Sequence, residues 1–298
     1  MALLLVMKAL TSLNAGSRNE FLPPCEPQKN ATVDTALAAD SHRRMPALLL
    51  LLVSFAVAVA APVPLRVGME LSYPPFETIG PDGKPAGISV ELAQGLADGL
   101  GRPLVIENIS FPGLIPSLKS GKIDVIISSM TATPERAKAV AFSDPYLTAG
   151  LAALVPAAST AQGLSELDQP GRTIVVRQGT TGEVFARTHV HKAALIRLDK
   201  ESACVLEVTQ GKADAFIYDQ MSVYQNAKRN PRTTRPMLNP LQKESWAIAV
   251  RQEDKELRTQ VNTFLADFRA GGGFDRLADK YLAEEKSAFA AEGIPFFF

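Results

Sequence analysis

A chain of 298 residues, 46% hydrophobic and 21% charged, is long enough for one large or two medium globular domains. Lysine plus arginine and aspartate plus glutamate balance at 31 each, interspersed and without a charged tail, so no electrostatic footprint of a nucleic-acid partner is present. Of the two cysteines, Cys25 and Cys204, only the second survives the cleavage expected below, which excludes an internal disulfide in the product.

The sharpest break is near the front, where "HRRMPALLLLLVSFAVAVAAPVP" sets His42, Arg43 and Arg44 before an apolar stretch from Pro46 to Val59. The stretch closes on the small-residue pattern Ala58-Val59-Ala60, the layout of a secretory signal peptide over 42–60 cleaved after Ala60. Its about 14 apolar residues are too few for a comfortable bilayer span. Residues 1–41 form a polar leader foreign to such a peptide. We read them as upstream of the true translation start, the alternative being that "MALLLVMKAL" acts as a weak interfacial segment. Cys25 in "LPPCEP" lacks the small-residue setting of a lipoprotein cleavage site, so the expected product is a freely soluble periplasmic protein.

The periodicity of the remaining chain predicts a strand at 65–70, a helix at 89–101, a strand at 104–108, a helix at 111–121, a strand at 124–128 and a helix at 134–141. An apolar run at 149–156 precedes a second set: strand 173–178, helix about 182–189, strand 194–198, helix about 201–210, strand 214–219 and helix 220–228. A further apolar run, 245–252, is followed by an amphipathic helix stopped by "GGG" and a short helix "FDRLADKYL". Such βαβα alternation argues for largely parallel sheets flanked by helices. "SLKSGKIDVIISSM" and "EVTQGKADAFIYDQ" echo one another, each closing a helix with Gly-Lys and passing through Asp into an apolar strand. The expected fold is therefore α/β, two similar three-layer lobes joined by a hinge that the chain crosses twice. Lobe one comprises 61–149 and 248–298, and lobe two 150–247.

In open α/β sheets ligands sit at the carboxyl ends of strands. Those ends carry Glu70, Ser72, Tyr73 and Phe76 after the first strand and Ser128, Ser129, Thr131 and Arg136 after the third. The second set contributes Arg177, Thr180, Thr181 and Asp219. Arg136 is placed oddly, because a cation in a helix's first turn opposes the dipole. It reads either as a surface arginine paired with Glu135 or Asp144, or as the partner of an incoming anion. Likewise "YPPF" is a proline-stiffened turn or a ligand wall, "GTTGE" a helix start or a ligand cradle, and Asp219 a helix N-cap or a ligand carboxylate. Taken jointly, a guanidinium with hydroxyls on one side and a carboxylate with hydroxyls on the other match a zwitterion. Arg136 would grip its α-carboxylate and Asp219 its α-ammonium. His189 and His191 have no cysteine or carboxylate at metal-site spacing, and no phosphate-cradling or nucleophile-elbow motif is present, so neither metal nor cofactor is expected.

These residues resemble the polar amino-acid substrate-binding proteins of ABC importers, which have the two-lobed periplasmic binding fold. The likeness runs through 65–283, by "LRVGMELSYPPF", "GISVELA", "PSLKSGKIDVIISSMTATPERAKAVAFSDPY", "VRQGTTGE", "ADAFIYD", "WAIAVRQED" and "LADKYL". The resemblance implies that Ser128, Ser129 and Thr131 surround the ligand's polar groups. It also implies that Arg136, Thr180 and Thr181 hold the α-carboxylate and Asp219 the α-ammonium. Tyr73 and Phe111 would sandwich the ligand side chain, with Glu70 facing its pocket. Arg177 beside Glu70 argues against a plain basic ligand and favours a polar neutral or mixed-charge side chain such as that of glutamine. The partners so implied are a small-molecule amino-acid ligand and a membrane ABC permease complex, with no nucleic acid and with the protein itself a monomer. Two departures stand out, the leader and the tail "AEEKSAFAAEGIPFFF". The tail either packs on lobe one or offers an apolar patch. The alternatives are a ligand-sensing domain, or a cyclohexadienyl-type dehydratase with Glu70 or Glu183 as general acid.

Overall fold

The structure is a computed structural model that describes residues 61–291, 293 and 294. The leader, the signal-peptide segment and tail residues 295–298 lie outside the described residues. Strand β1 (Leu65–Met69) is followed by a small hairpin of β2 (Thr78–Ile79) and β3 (Pro85–Ala86). Then come α1 (Ile88–Gly99), β4 (Leu104–Asn108), α2 (Phe111–Lys119), β5 (Val125–Ile126) and the single turn α3 (Pro134–Ala137). A long β6 (Ala141–Pro156) leads through α4 (Leu164–Leu167) to β7 (Thr173–Arg177), α5 (Thr181–His189) and β8 (Ala194–Leu198). The chain continues with α6 (Glu201–Thr209), β9 (Ala215–Asp219) and α7 (Gln220–Arg229). An equally long β10 (Thr234–Val250) returns it to α8 (Lys255–Ala270), α9 (Gly273–Tyr281) and α10 (Ala283–Ala291).

The strands lie in the order β4-β1-β5-β10-β6-β9-β7-β8. Each outer trio is parallel, and each meets an antiparallel long strand at its inner edge, β10 beside β5 and β6 beside β9. The two halves thus repeat one plan. Alternation along each strand produces the layers. Val125 and Ile127 pack with α1 and α8, whereas Ile126 between them packs with Leu114 and Leu118 of α2. In the second half Ile174 and Val176 face Phe185 and Ala186 of α5, and Val175 faces Cys204, Val205 and Val208 of α6. Buried positions spaced by four, Leu257, Val261 and Leu265, give α8 its inward stripe.

The sequence echo has a structural cause. Gly121 and Gly211, at φ 75° and 69°, end α2 and α6 in the left-handed region open to glycine. Three residues on, Asp124 accepts from the backbone N–H of Arg66 at 3.0 Å and Asp214 from that of Thr173 at 2.8 Å, tying each third strand to the start of its first. Arg66 and Arg172 add their guanidiniums to these aspartates.

Strands β6 and β10 are the two connections between the halves, paired from Val250 opposite Ala141 to Thr234 opposite Pro156. Both extend beyond the predicted 149–156 and 245–252 at their N-terminal ends, through segments that carry no apolar run and are interrupted by Pro145, Pro236 and Pro240 and the polar "QKES". The ladder absorbs them at register shifts, with breaks between Met237 and Gln242 and around Ala247. Helix α3 is correspondingly shorter than the expected 134–141, since Ala141 already belongs to β6. Helix α10 has no counterpart in the sequence reading, and Ile294 beyond it packs against the core of the first half.

Helix α5 reaches close to β9 only because residue 182 is glycine: a Cβ there would lie 2.5 Å from the carbonyl oxygen of Ile217. Gly182→Ala is therefore expected to cost about 1–3 kcal/mol through forced backbone movement and to lower Tm by roughly 4–10 °C. Calorimetry showing Tm within about 1 °C of the parent would contradict this packing.

Candidate functional site

The carboxyl ends of β1 and β5 oppose those of β7 and β9 across one narrow cavity of about 40 Å³. Eleven of the thirteen residues singled out in the sequence, at strand ends or by resemblance, line it. Glu70 and Tyr73 follow β1, Phe111 opens α2, and Ser128, Ser129, Thr131 and Arg136 follow β5. From the other side come Arg177 at the end of β7, Thr180 and Thr181 at the start of α5, and Asp219 at the end of β9.

The exceptions are Ser72, which is exposed, and Phe76, a fully buried core residue. Tyr73 and Glu77 exchange backbone hydrogen bonds of 2.8 and 3.0 Å, and within this tight turn Tyr73 reaches the cavity while Phe76 is buried. There Phe76 stacks on Tyr73 at 5.4 Å and meets Trp246 edge-on at 4.9 Å, so it backs the cavity wall without reaching it. "YPPF" is thus a turn and a wall at once.

Arg136 is half-buried, and among the described residues it forms no ion pair. Its guanidinium donates to the carbonyl oxygens of Thr131 at 2.8 Å and Gly179 at 3.1 Å, the second across the cavity, and lies 5.3 Å above the Phe111 ring. Desolvation pulls its pKa below the ordinary guanidinium value, with longer-range attraction from Glu244 opposing it. Of the expected surface partners, Glu135 holds Lys138, and among the described residues Asp144 forms no ion pair with Arg136. With only four residues in α3, the dipole bears little on Arg136, whose N–H is capped by Thr133 Oγ1 at 3.2 Å.

Asp219 is the helix N-cap considered for it, and its carboxylate also lines the cavity. Its side chain caps α7 by accepting from the Ser222 N–H at 2.9 Å, and accepts from Tyr73 Oη at 2.6 Å across the cavity. Burial without a cation pushes its pKa up to about 7, against the lowering effect of these two bonds. A cation without an anion and an anion without a cation thus line the same space.

Glu70 and Arg177 form an ion pair between the two sides. Arg177, only 6% exposed, also donates to Asp199 O at 3.2 Å and Tyr218 Oη at 3.1 Å. The hydroxyls are organised by two carboxyls absent from the sequence reading. Glu77, 1% exposed, accepts from Ser89 at 2.6 Å, Ser129 at 3.1 Å and Ser128 at 3.3 Å. Burial raises its pKa to about 8 despite those three donors, so it is largely a neutral acid at pH 7. Ser129 is held at φ 48°, a left-handed conformation rare outside glycine and asparagine. Glu244 accepts from Thr131 and Thr181, each at 2.9 Å, and so joins a hydroxyl from either side. Thr180 caps α5 and donates to Arg177 O at 2.7 Å.

Glu77, Leu151, Tyr218, Glu244 and Trp246 complete the lining. Tyr218 neighbours Asp219 at a strand end and was open to discovery by that rule. Glu244 lies just before the apolar run predicted at 245–252, in a part of β10 to which the sequence reading assigned no element, and Trp246, the chain's single tryptophan, lies within that run. Glu183 does not line the cavity, because its carboxylate accepts from Gly179 N at 2.8 Å and Arg197 at 3.1 Å. His189 bonds Phe185 O at 2.9 Å and stacks on its ring, and among the described residues no cluster of three metal-ligating side chains occurs.

The chain is 29% identical over 238 residues to ABC transporter arginine-binding protein 1 of Escherichia coli (strain K12), covering 78% of this chain and 97% of that protein. Holo ArgBP from T. maritima superposes with a TM-score of 0.64 at 38% identity, over 72% of this chain and 94% of that one. The ancestral amino acid-binding protein AncCDT-1, a precursor of cyclohexadienyl dehydratase, does so with a TM-score of 0.68 at 34% identity, over 73% and 94%. The model of the bacterial extracellular solute-binding proteins, family 3, matches residues 65–284, and the chain belongs to that family.

Proposed function

We propose that the protein closes two lobes, 61–149 with 248–298 and 150–247, on one polar α-amino acid in the periplasm. It then delivers that ligand to a membrane ABC permease. The observation that carries this reading is the opposition of Arg136, without an ion-pair partner among the described residues, and Asp219, a buried carboxyl bonded only to a hydroxyl and an N–H. A molecule bearing an α-carboxylate and an α-ammonium supplies both missing charges in one step. The relatives point the same way: one is named an arginine-binding protein of an ABC transporter, another an ancestral amino acid-binding protein. The signal peptide read at 42–60 fits export to the periplasm.

Closure follows from where the charges sit. Arg136 belongs to the segment after β5 and Asp219 to the end of β9, while β6 and β10 alone run between the two halves. A ligand touching both poles binds the closed arrangement in preference to the open one and shifts the population toward it. Tyr73 Oη, which meets one Asp219 oxygen, is the group an incoming ammonium competes with. The binder is favoured over a dehydratase because Glu183 is spent on capping α5 and Glu70 on Arg177.

A thermal-shift screen of the twenty amino acids is expected to find at least one that stabilises the protein by about 2.7 kcal/mol at a hundredfold over Kd. Arg136→Ala should weaken that ligand by at least about 100-fold, through loss of a charge-assisted pair. A screen in which no amino acid moves Tm, or an Arg136→Ala variant with full affinity, contradicts the reading.

Affinity should also depend on pH through Asp219. The protonated carboxyl cannot hold an ammonium, so binding strengthens as pH rises through about 7. Calorimetric Kd is expected to be about tenfold weaker at pH 6 than at pH 8. A flat profile between those values would be the wrong result for this clamp.

A further inference from the structure

Beside the narrow cavity lies a second, wider one of about 620 Å³, and the two share Glu70, Tyr73 and Arg177 as a common wall. The wall is made by the Glu70–Arg177 ion pair, whose side chains are 18% and 7% exposed. Beyond it stand Lys200, Arg229 and Glu201, the last accepting from Ser222 Oγ at 2.5 Å and Asn226 Nδ2 at 2.9 Å. The far side of the wall therefore offers both signs of charge, with cations in excess.

An ion pair in this position selects against a singly charged side chain. A lone cation would gain Glu70 but meet Arg177, and a lone carboxylate the reverse; either leaves one buried charge uncompensated. A neutral amide leaves the pair intact and the second cavity unused. A side chain ending in a carboxylate beside an ammonium exchanges into the pair, its carboxylate on Arg177 and its ammonium on Glu70, and leaves neither charge bare, with Lys200 and Arg229 on the carboxylate's side of the second cavity. The spacing is short enough for one small molecule, because the Arg136 and Arg177 guanidiniums lie over the same Phe111 ring, 5.3 and 5.9 Å from its centroid.

We propose that the second cavity is a distal subsite and that the preferred ligand is an elongated diamino dicarboxylic acid, one amino-acid head at Arg136 and Asp219 and the other beyond Glu70 and Arg177. This rests on the amino-acid reading given above and narrows it to a ligand class.

The test is isothermal titration of the purified protein with L-cystine, L-cystathionine and meso-2,6-diaminopimelate, against L-glutamine, L-glutamate and L-arginine. At least one of the first three should bind at least about tenfold tighter than each of the last three. The double variant Lys200→Gln with Arg229→Gln, outside the first cavity, should weaken that ligand about fivefold or more while changing single-headed ligands less than twofold. A single-headed amino acid that binds as tightly as every double-headed one overturns the distal subsite and leaves the amino-acid reading standing. Double-headed preference unchanged in the double variant also overturns it. If none of the six binds, the distal subsite is overturned, and the amino-acid reading stands or falls with the twenty-amino-acid screen.

Discussion

Burying a charge without a counter-charge is among the costliest things a fold can do, and this molecule does it twice in one small space. Arg136 rests on two carbonyl oxygens, and Asp219 on a phenol and a backbone N–H. Neither arrangement returns to the group what water would supply. The fold holds both residues there because each ends a segment whose position is fixed for other reasons. Arg136 follows β5, held by β1 and β10, and Asp219 ends β9, held by β6 and β7. The unmet charge is stored on opposite sides of a gap, where the proposed two-poled ligand would meet it.

Around that pair the remaining groups act as positioning. Glu77 gathers Ser89, Ser128 and Ser129 beneath the loop after β5, and being mostly neutral at pH 7 it adds little to the field in the cavity. Glu244 spans the gap by accepting from Thr131 and Thr181. Arg177 is fully engaged with Glu70, Tyr218 and a carbonyl, and so forms a wall where Arg136 forms a hand. Two arginines within reach of one aromatic ring thus differ in role because one has a carboxylate and the other has none.

Much of this was legible in the sequence, for identifiable reasons. The strand-end rule located Glu70, Ser128, Arg177 and Asp219, because parallel strands place their following residues at one edge whatever the loops do. The Gly-Lys-x-Asp echo marked two similar halves, since a left-handed glycine and an aspartate capping the neighbouring strand recur in both. Phe76 was misjudged because a four-residue turn decides which aromatic faces inward, and no periodicity operates at that length. Glu244 went unread because prolines and polar residues hid the length of β10, a strand stabilised by its partner β6 more than by its own propensities. Glu77 was missed because a carboxyl buried among serines has no sequence signature of its own.

The claim at the centre of this account is that one zwitterion bridges Arg136 and Asp219. Titration calorimetry on the best amino-acid ligand, its α-carboxamide and its N-acetyl derivative tests it pole by pole. Each derivative removes one charge-assisted contact set and is expected to bind at least about 100-fold more weakly than the parent. Binding of both derivatives within about threefold of the parent would show that neither pole is read, and would contradict the clamp.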